Sequence, residues 1–230
     1  MRVKWWAFLA AVGVLLMSGC GLDATVGVTL DADGAGEFSV SVEPDRELAR
    51  EAGAAGFDVV DELASTVGTL EGWEASRVGG GIVLSTDFTD PEDLRTATGS
   101  FAEALAAPVF RPLEPVEVEL TDDHVRFATR AGLEVTGTVE ELAAEPAQAH
   151  DLLAESVSFT YRVVMPGEVV AHNADSRDGT TLTWDVPAGE RIELHAEAER
   201  PGWNWELPVL AMALAAVVAL AAILIVRRRG

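Results

Sequence analysis

The stretch TVGVTLDADGAGEFSVSVE, residues 25–43, decides the fold class. Val26, Val28 and Leu30 alternate with polar or small residues, and Phe38, Val40 and Val42 repeat the alternation after Asp31-Ala-Asp-Gly-Ala-Gly36. A period of two places each apolar set on one side of a strand. The Asp/Gly-rich segment between them supplies a tight reversal. This is an antiparallel hairpin with one buried face.

Working outward, Pro44-Asp45 opens a helical stretch with Leu48, Ala49, Ala52, Val59, Val60, Leu63 and Val67 at helical spacing. Gly53 and Gly56 break or kink it. Thr89-Asp90-Pro91-Glu92 starts a second helix with Leu94, Phe101 and Leu105 on its apolar side. These helices are expected over 45–70 and 91–106. Strands are expected at 73–78, 82–88, 116–120, 125–129, 133–138, 157–165, 168–172, 180–186 and 191–198, with a short helix or turn over 146–154. Turns at Pro166-Gly167, Asp178-Gly179 and Pro187-Ala188-Gly189 punctuate the last third. The expected fold is α+β: one curved antiparallel sheet of about nine strands, with two or three helices packed on one face. Inward-facing Val26, Val40, Phe159, Val163, Leu182 and Trp184 then form either the wall of an apolar pocket or a plain core, depending on how fully the helices close.

The two ends give the setting. Residues 1–20, MRVKWWAFLAAVGVLLMSGC, have a basic start, an apolar run and small residues, the layout of a secretory signal. Met17-Ser18-Gly19-Cys20 resembles a bacterial lipobox, which implies cleavage after residue 19 and a diacylglyceryl thioether on Cys20. Cys20 is the only cysteine, so neither a disulfide nor a cysteine zinc cluster is available. Residues 207–226 carry no charge, and twenty residues at about 1.5 Å each span a hydrocarbon core of about 30 Å. Trp203 and Trp205 precede this transmembrane helix, and Arg227, Arg228 and Arg229 follow it, which places the C-terminus in the cytoplasm. The expected organisation is a signal peptide over 1–19, an extracytoplasmic domain over 20–202, an interfacial segment over 203–206, the span over 207–226 and a basic tail over 227–230.

The charge narrows the function classes. The 230-residue chain has a net charge of −22, and residues 21–206 hold all 38 acids against 11 arginines. Such a surface excludes nucleic acid as a partner, because phosphate binding needs a basic footprint. A lipid ligand would enter this domain through an apolar mouth, not a basic patch. The four histidines, His124, His150, His172 and His195, form no HExxH pattern, and no GxSxG or phosphate loop occurs. No metal and no cofactor are expected, and no enzyme activity. Asp31 and Asp33 resemble half a calcium loop but lack the third ligand and the distant bidentate Glu, so a hairpin turn is the reading kept. His172 and Asn173 sit between turns, as a contact at a pocket rim or as a loop that bonds its own backbone.

The combination of lipobox, DADGAGEF hairpin and the stretch RVVMPGEVVAHNADSRDGTTLTWDVPAGERIELHAEAE, followed by a span and arginines, resembles the LppM family of actinobacterial envelope lipoproteins. The matching positions are Pro166, Gly167, His172, Asn173, Gly179, Trp184 and Gly189. The resemblance implies a membrane-tethered domain likened to small-molecule or lipid carriers, binding envelope lipid or glycolipid, with no catalysis. Residues 73–150 carry no motif of it. The rival expectation is a module that assembles with other envelope proteins and takes no small ligand.

The lipobox reading has a direct check. Cys20→Ala abolishes labelling by an alkyne fatty acid and leaves the signal uncleaved, while the chain still sediments with membranes through residues 207–226. Equal labelling of wild type and variant refutes it.

Overall fold

A computed structural model describes residues 21–54, 56, 58–105, 114–132, 157–187 and 190–201. The lipobox, the span, the arginine tail, His150, and the expected elements at 133–138 and 146–154 lie outside the described residues. Among the described residues no helix is long and apolar enough to cross a membrane.

The hairpin forms as the alternation requires. Strand β1 (Leu22–Leu30) pairs antiparallel with β2 (Gly36–Pro44), with Val26 opposite Val40 and Val28 opposite Phe38. Gly34 turns with φ of 88°, which a side chain disfavours. A Cβ at Gly36 would collide with the Thr29 carbonyl, so the turn needs both glycines. Helices α1 (Arg46–Ala54) and α2 (Val59–Val67) follow, separated at Gly56, whose φ is 76°. Then come β3 (Glu74–Val78), β4 (Gly81–Phe88), α3 (Pro91–Leu105), β5 (Glu117–Leu120) and β6 (His124–Gly132). The last part is β7 (Val157–Val164), β8 (Val169–His172), β9 (Ser176–Asp178), β10 (Thr181–Asp185) and β11 (Arg191–Glu199).

Aspartates cap the three helices among the described residues. Asp58 accepts from Val60 and Asp61 N–H, and Asp90 from Glu92 and Asp93 N–H. Asp45 accepts from Leu48 N–H and, through its other oxygen, from Gly21 N–H, each at 2.6 Å. Those two donors, Leu48 first, hold its carboxyl below the usual range. A lowered pKa means that this grip is present at neutral pH and is lost only as the pH falls through that value.

The class is α+β, but the single antiparallel sheet is corrected to two sheets. A seven-stranded mixed sheet runs β3-β4-β2-β1-β7-β10-β9, and a four-stranded antiparallel sheet runs β5-β6-β11-β8. β1 and β7 are parallel, with Val26 opposite Tyr161. Alternation reports which face of a strand is buried, not which strand lies beside it or in which layer. The expected strand at 125–129 is β6, which extends to Gly132 and pairs along its length with β11. β9 was not expected.

One core joins both sheets and the helices. Phe38 meets Trp73 and Phe101 edge-on at 5.5 and 5.9 Å, and Trp73 stacks on Phe101 at 4.8 Å, under α2 and α3. Phe127 of β6 packs against Tyr161 and Trp184 of the larger sheet at 6.0 and 6.3 Å. Buried Thr98 ties α3 to the strand entering β5, bonding Leu94 O and accepting from Val116 N–H. Tyr161 is fully buried, and among the described residues its hydroxyl is the one buried side-chain polar atom without a partner. Burial pushes its phenol well above the normal range.

An unpaired buried hydroxyl costs about 1–3 kcal/mol. Tyr161→Phe keeps the ring and removes that group. It is expected to unfold at an equal or higher urea concentration than wild type, by up to about 1 kcal/mol in stability. A clear loss of stability would reveal a partner for the hydroxyl.

Candidate functional site

Asn173 leaves β8 between His172 and Ala174, and its side chain reaches both sheets. Its Oδ1 accepts from the Trp184 indole N–H of β10 and from His195 N–H of β11, each at 2.9 Å. Its Nδ2 donates to Glu193 O at 2.6 Å, and its own N–H to His195 O at 3.2 Å. Trp184 belongs to the larger sheet, while Glu193 and His195 belong to the smaller. One amide therefore clamps the two layers. His172 turns back on its own loop: Nδ1 accepts from Ala174 N–H at 3.1 Å.

Beside this clamp lies a groove of about 300 Å³, lined by Asn173, Asp175, Trp184, Asp185, Pro187, Ile192 and Glu193. Each carboxylate is oriented. Asp175 accepts from Asp185 N–H at 2.9 Å, Asp185 meets the Thr160 hydroxyl at 3.5 Å, and Glu193 takes two bonds from Arg130. Three carboxylates and an amide beside Trp184, Pro187 and Ile192 form an acceptor-rich wall with apolar flanks. That arrangement suits a neutral polyol or a cation and repels an anion. A second depression, beside Asp90, Pro91, Glu92, Arg95 and Val116–Val118, is acidic as well.

The residues singled out in the sequence divide between core and rim. Val26, Val40, Phe159, Val163, Leu182 and Trp184 are buried in one cluster with Phe38, Phe101 and Phe127. Asn173 lines the groove, whereas His172 is not among its lining residues. Asp31 and Asp33 form the hairpin turn, where Asp33 accepts from Ala35 N–H, and no group of three metal-ligating side chains occurs among the described residues. Cys20, Met17, Ser18, Gly19 and Arg227–Arg229 lie outside the described residues. Asp175, Asp185 and Glu193 were not anticipated. Among 38 acids no sequence signal separates them, because strands that are not neighbours in the chain bring them together.

Arg200 is a second junction. Its guanidinium donates to Ala32 O at 2.6 Å and Thr121 O at 3.0 Å, and its N–H to Asp123 O at 2.7 Å. It thereby fixes the hairpin turn against the loop joining β5 and β6.

Asn173→Ala leaves the buried Trp184 N–H unpaired and is expected to destabilise the domain by about 2–3 kcal/mol, read as a lower urea midpoint. Asn173→Asp keeps the acceptor and loses the donor to Glu193, so its midpoint falls between the two. An alanine variant as stable as wild type would show that the clamp holds nothing.

The comparisons with known proteins fit this picture at the level of family. The profile of the LppM domain matches residues 21–200. The NMR structure of the folded domain of Mycobacterium tuberculosis LppM is similar, with 13% identity, a TM-score of 0.47, and coverage of 80% of this chain and 92% of that chain. No curated protein matches the sequence. Since the matched region takes in every described strand and helix, the chain belongs to the LppM family.

Proposed function

We propose that this chain is a non-enzymatic envelope lipoprotein whose domain binds the polar headgroup of a membrane lipid or glycolipid. The lipid on Cys20 and the apolar run 207–226 hold it in the cytoplasmic membrane, with the domain outside and the arginine tail inside. The observation that carries the reading is the groove beside Asn173. Its volume of about 300 Å³ lies at the lower end of the range for small-ligand sites. Asp175, Asp185 and Glu193 offer acceptors to the hydroxyls of a sugar or polyol, and Pro187 and Ile192 offer apolar contact to its ring faces. A wall of this kind favours a headgroup over acyl chains, which stay in the bilayer. Binding then needs no apolar mouth. It varies little with salt for a neutral headgroup.

A second reading, an assembly module for other envelope proteins, has its own support. Strand β3 at one edge of the larger sheet exposes Val78, and β8 at one edge of the smaller exposes Val170. An exposed strand edge with an apolar side chain is a template for pairing with another chain.

Native mass spectrometry of the full chain extracted from membranes separates the two. A lipid adduct beyond the covalent acyl groups is expected. Asp185→Asn combined with Glu193→Gln lowers its occupancy about ten-fold, the effect of losing roughly 1.4 kcal/mol in hydrogen bonds to charged acceptors. Chain without lipid adduct, together with no saturable uptake from an envelope lipid extract, overturns the binding reading and favours the assembly module.

A further inference from the structure

We infer that the free edge of strand β5 is a docking site for an extended, basic segment of another protein, which joins the smaller sheet as a further strand. The inference does not depend on the groove beside Asn173. Among the described residues β5 is an edge strand and pairs with β6 alone. The ladder fixes which of its backbone groups are left over. Thr121 N–H donates to His124 O, so these two form a hydrogen-bonded pair. Bonded and non-bonded pairs alternate along an antiparallel ladder. Glu119 opposite Arg126 and Glu117 opposite Ala128 are therefore bonded pairs. Val118 and Leu120 fall on the alternate positions and turn their N–H and C=O groups away from β6. No described strand takes up those groups. Such an edge is a template for strand addition.

The surroundings of that edge suit an added strand. A depression of about 570 Å³ lies between Glu117 and Val118 on one side and Pro91, Glu92 and Arg95 at the start of α3 on the other. Thr98, one turn further along α3, holds Val116 N–H at 3.1 Å, so wall and edge are fixed to each other. The β1–β2 turn closes one end, where a Cβ on Gly34 would meet Leu120 at 2.6 Å and Pro91 at 3.1 Å. Residues of an incoming strand opposite Val118 share its inner face, beside Pro91, where small apolar side chains fit. Their neighbours in that strand point to the outer face, beside Glu117 and Glu119.

Charge selects the occupant. Glu117 is exposed and forms no ion pair among the described residues. Arg95, the one cation lining the depression, is taken by Glu92 at 3.3 Å. Asp90 caps α3 through Glu92 and Asp93 N–H, and Asp31 and Asp33 are exposed beside the closing turn. Negative charge is therefore left over around the edge, which attracts a strand carrying lysine or arginine and repels an acidic one. The same charge disfavours a second copy of this chain. Antiparallel pairing of two β5 strands about Val118 would set Glu117 opposite Glu119, and like charges directly opposite are destabilising.

The test uses the full chain in detergent and a fluorescein-labelled peptide of alternating lysine and valine, blocked at both ends. Saturable binding by fluorescence anisotropy is expected. A lysine–proline peptide of equal charge loses the valine N–H groups that face Val118 and Leu120, and is expected to bind at least about ten-fold more weakly. Val118→Pro removes an N–H that points away from β6, the place where a strand tolerates proline. It is expected to keep the wild-type urea midpoint and to weaken the lysine–valine peptide at least about ten-fold. Amide exchange of the wild type, read by NMR, gives the same answer without a variant. The Val118 and Leu120 amides exchange quickly alone and at least about ten-fold more slowly with peptide, while Glu119, bonded to β6, is slow in both states. No saturable binding overturns the inference. Equal binding of the lysine–proline peptide, or exchange at Val118 and Leu120 unchanged by bound peptide, also overturns it, by reducing the effect to bulk charge attraction. Slow exchange at both amides before any peptide is added overturns it as well, since the edge is then already covered.

Discussion

The rest of the architecture depends on strand β1 having a neighbour on both edges. Its antiparallel partner β2 is local, reached through a turn of a few residues, and costs little chain entropy. Its parallel partner β7 begins at Val157, so the chain between must leave the sheet and return in the same direction. Everything the domain places in its second layer among the described residues, apart from β8 and β11, is made on that detour: α2, α3, β5 and β6. The hydrophobic contacts that make the closure favourable lie at its two ends. Phe38, Trp73 and Phe101 fix the helices under β2 and β4, and Phe127 meets Tyr161 and Trp184 where the chain returns. Loop-closure entropy on this scale is recovered only once the distant pairs form, so folding of this domain is expected to be slow and cooperative.

Two polar devices then lock layers that apolar packing alone would leave free to slide. Asn173 joins β10 to β11 through the Trp184 indole, and Arg200 joins the β1–β2 turn to the loop before β6. Each works through directional bonds to backbone or indole groups that would be costly to leave unpaired. The groove lies against the first of these locks. Its carboxylates are therefore set by the same contacts that set the spacing of the sheets.

What was legible in the sequence follows from what is local. The hairpin could be read from residues 25–43 because both its strands and its turn are contiguous, and the register pairs Val26 with Val40. Two of the helix starts were visible through Asp45 and Asp90 followed by helical spacing, and the break near Gly56 was visible too. The parallel pairing was hidden because β7, VSFTYRVV, alternates as an antiparallel strand does. Parallel strands are usually covered on both faces and read as continuous apolar runs. Here the second face carries Ser158, Thr160 and Arg162, and that cue is missing. The split into two sheets was hidden for a similar reason, since β6 and β11 alternate no differently from strands of the larger sheet. Asn173 drew notice as a loop residue, but its partners at 184, 193 and 195 meet it only in the folded chain.

The charge distribution gives the acidic composition a spatial meaning. The outer face of the smaller sheet is a ladder of ion pairs: Arg126 with Glu119 and Glu197, Arg130 with Glu114 and Glu193, and Arg191 with Glu114. The hydrogen bond that Arg126 donates to the Glu197 carboxylate, then the charges of Glu197 and Glu119, push its guanidinium further up from an already high value. Exposed pairs of this kind contribute little to stability one at a time. Their effect here is on repulsion: Arg126 lies between Glu119 and Glu197 on the neighbouring strands, and Arg130 opposite Glu193, where glutamates facing each other would be destabilising. On the outer face of the larger sheet the two central rows are mostly hydroxyls around Arg162 and Asp185, while Asp23, Glu37, Glu43 and Asp87 lie toward the strand ends. A domain with 27 more acids than arginines thus keeps one broad surface on which negative charge is sparse at the centre.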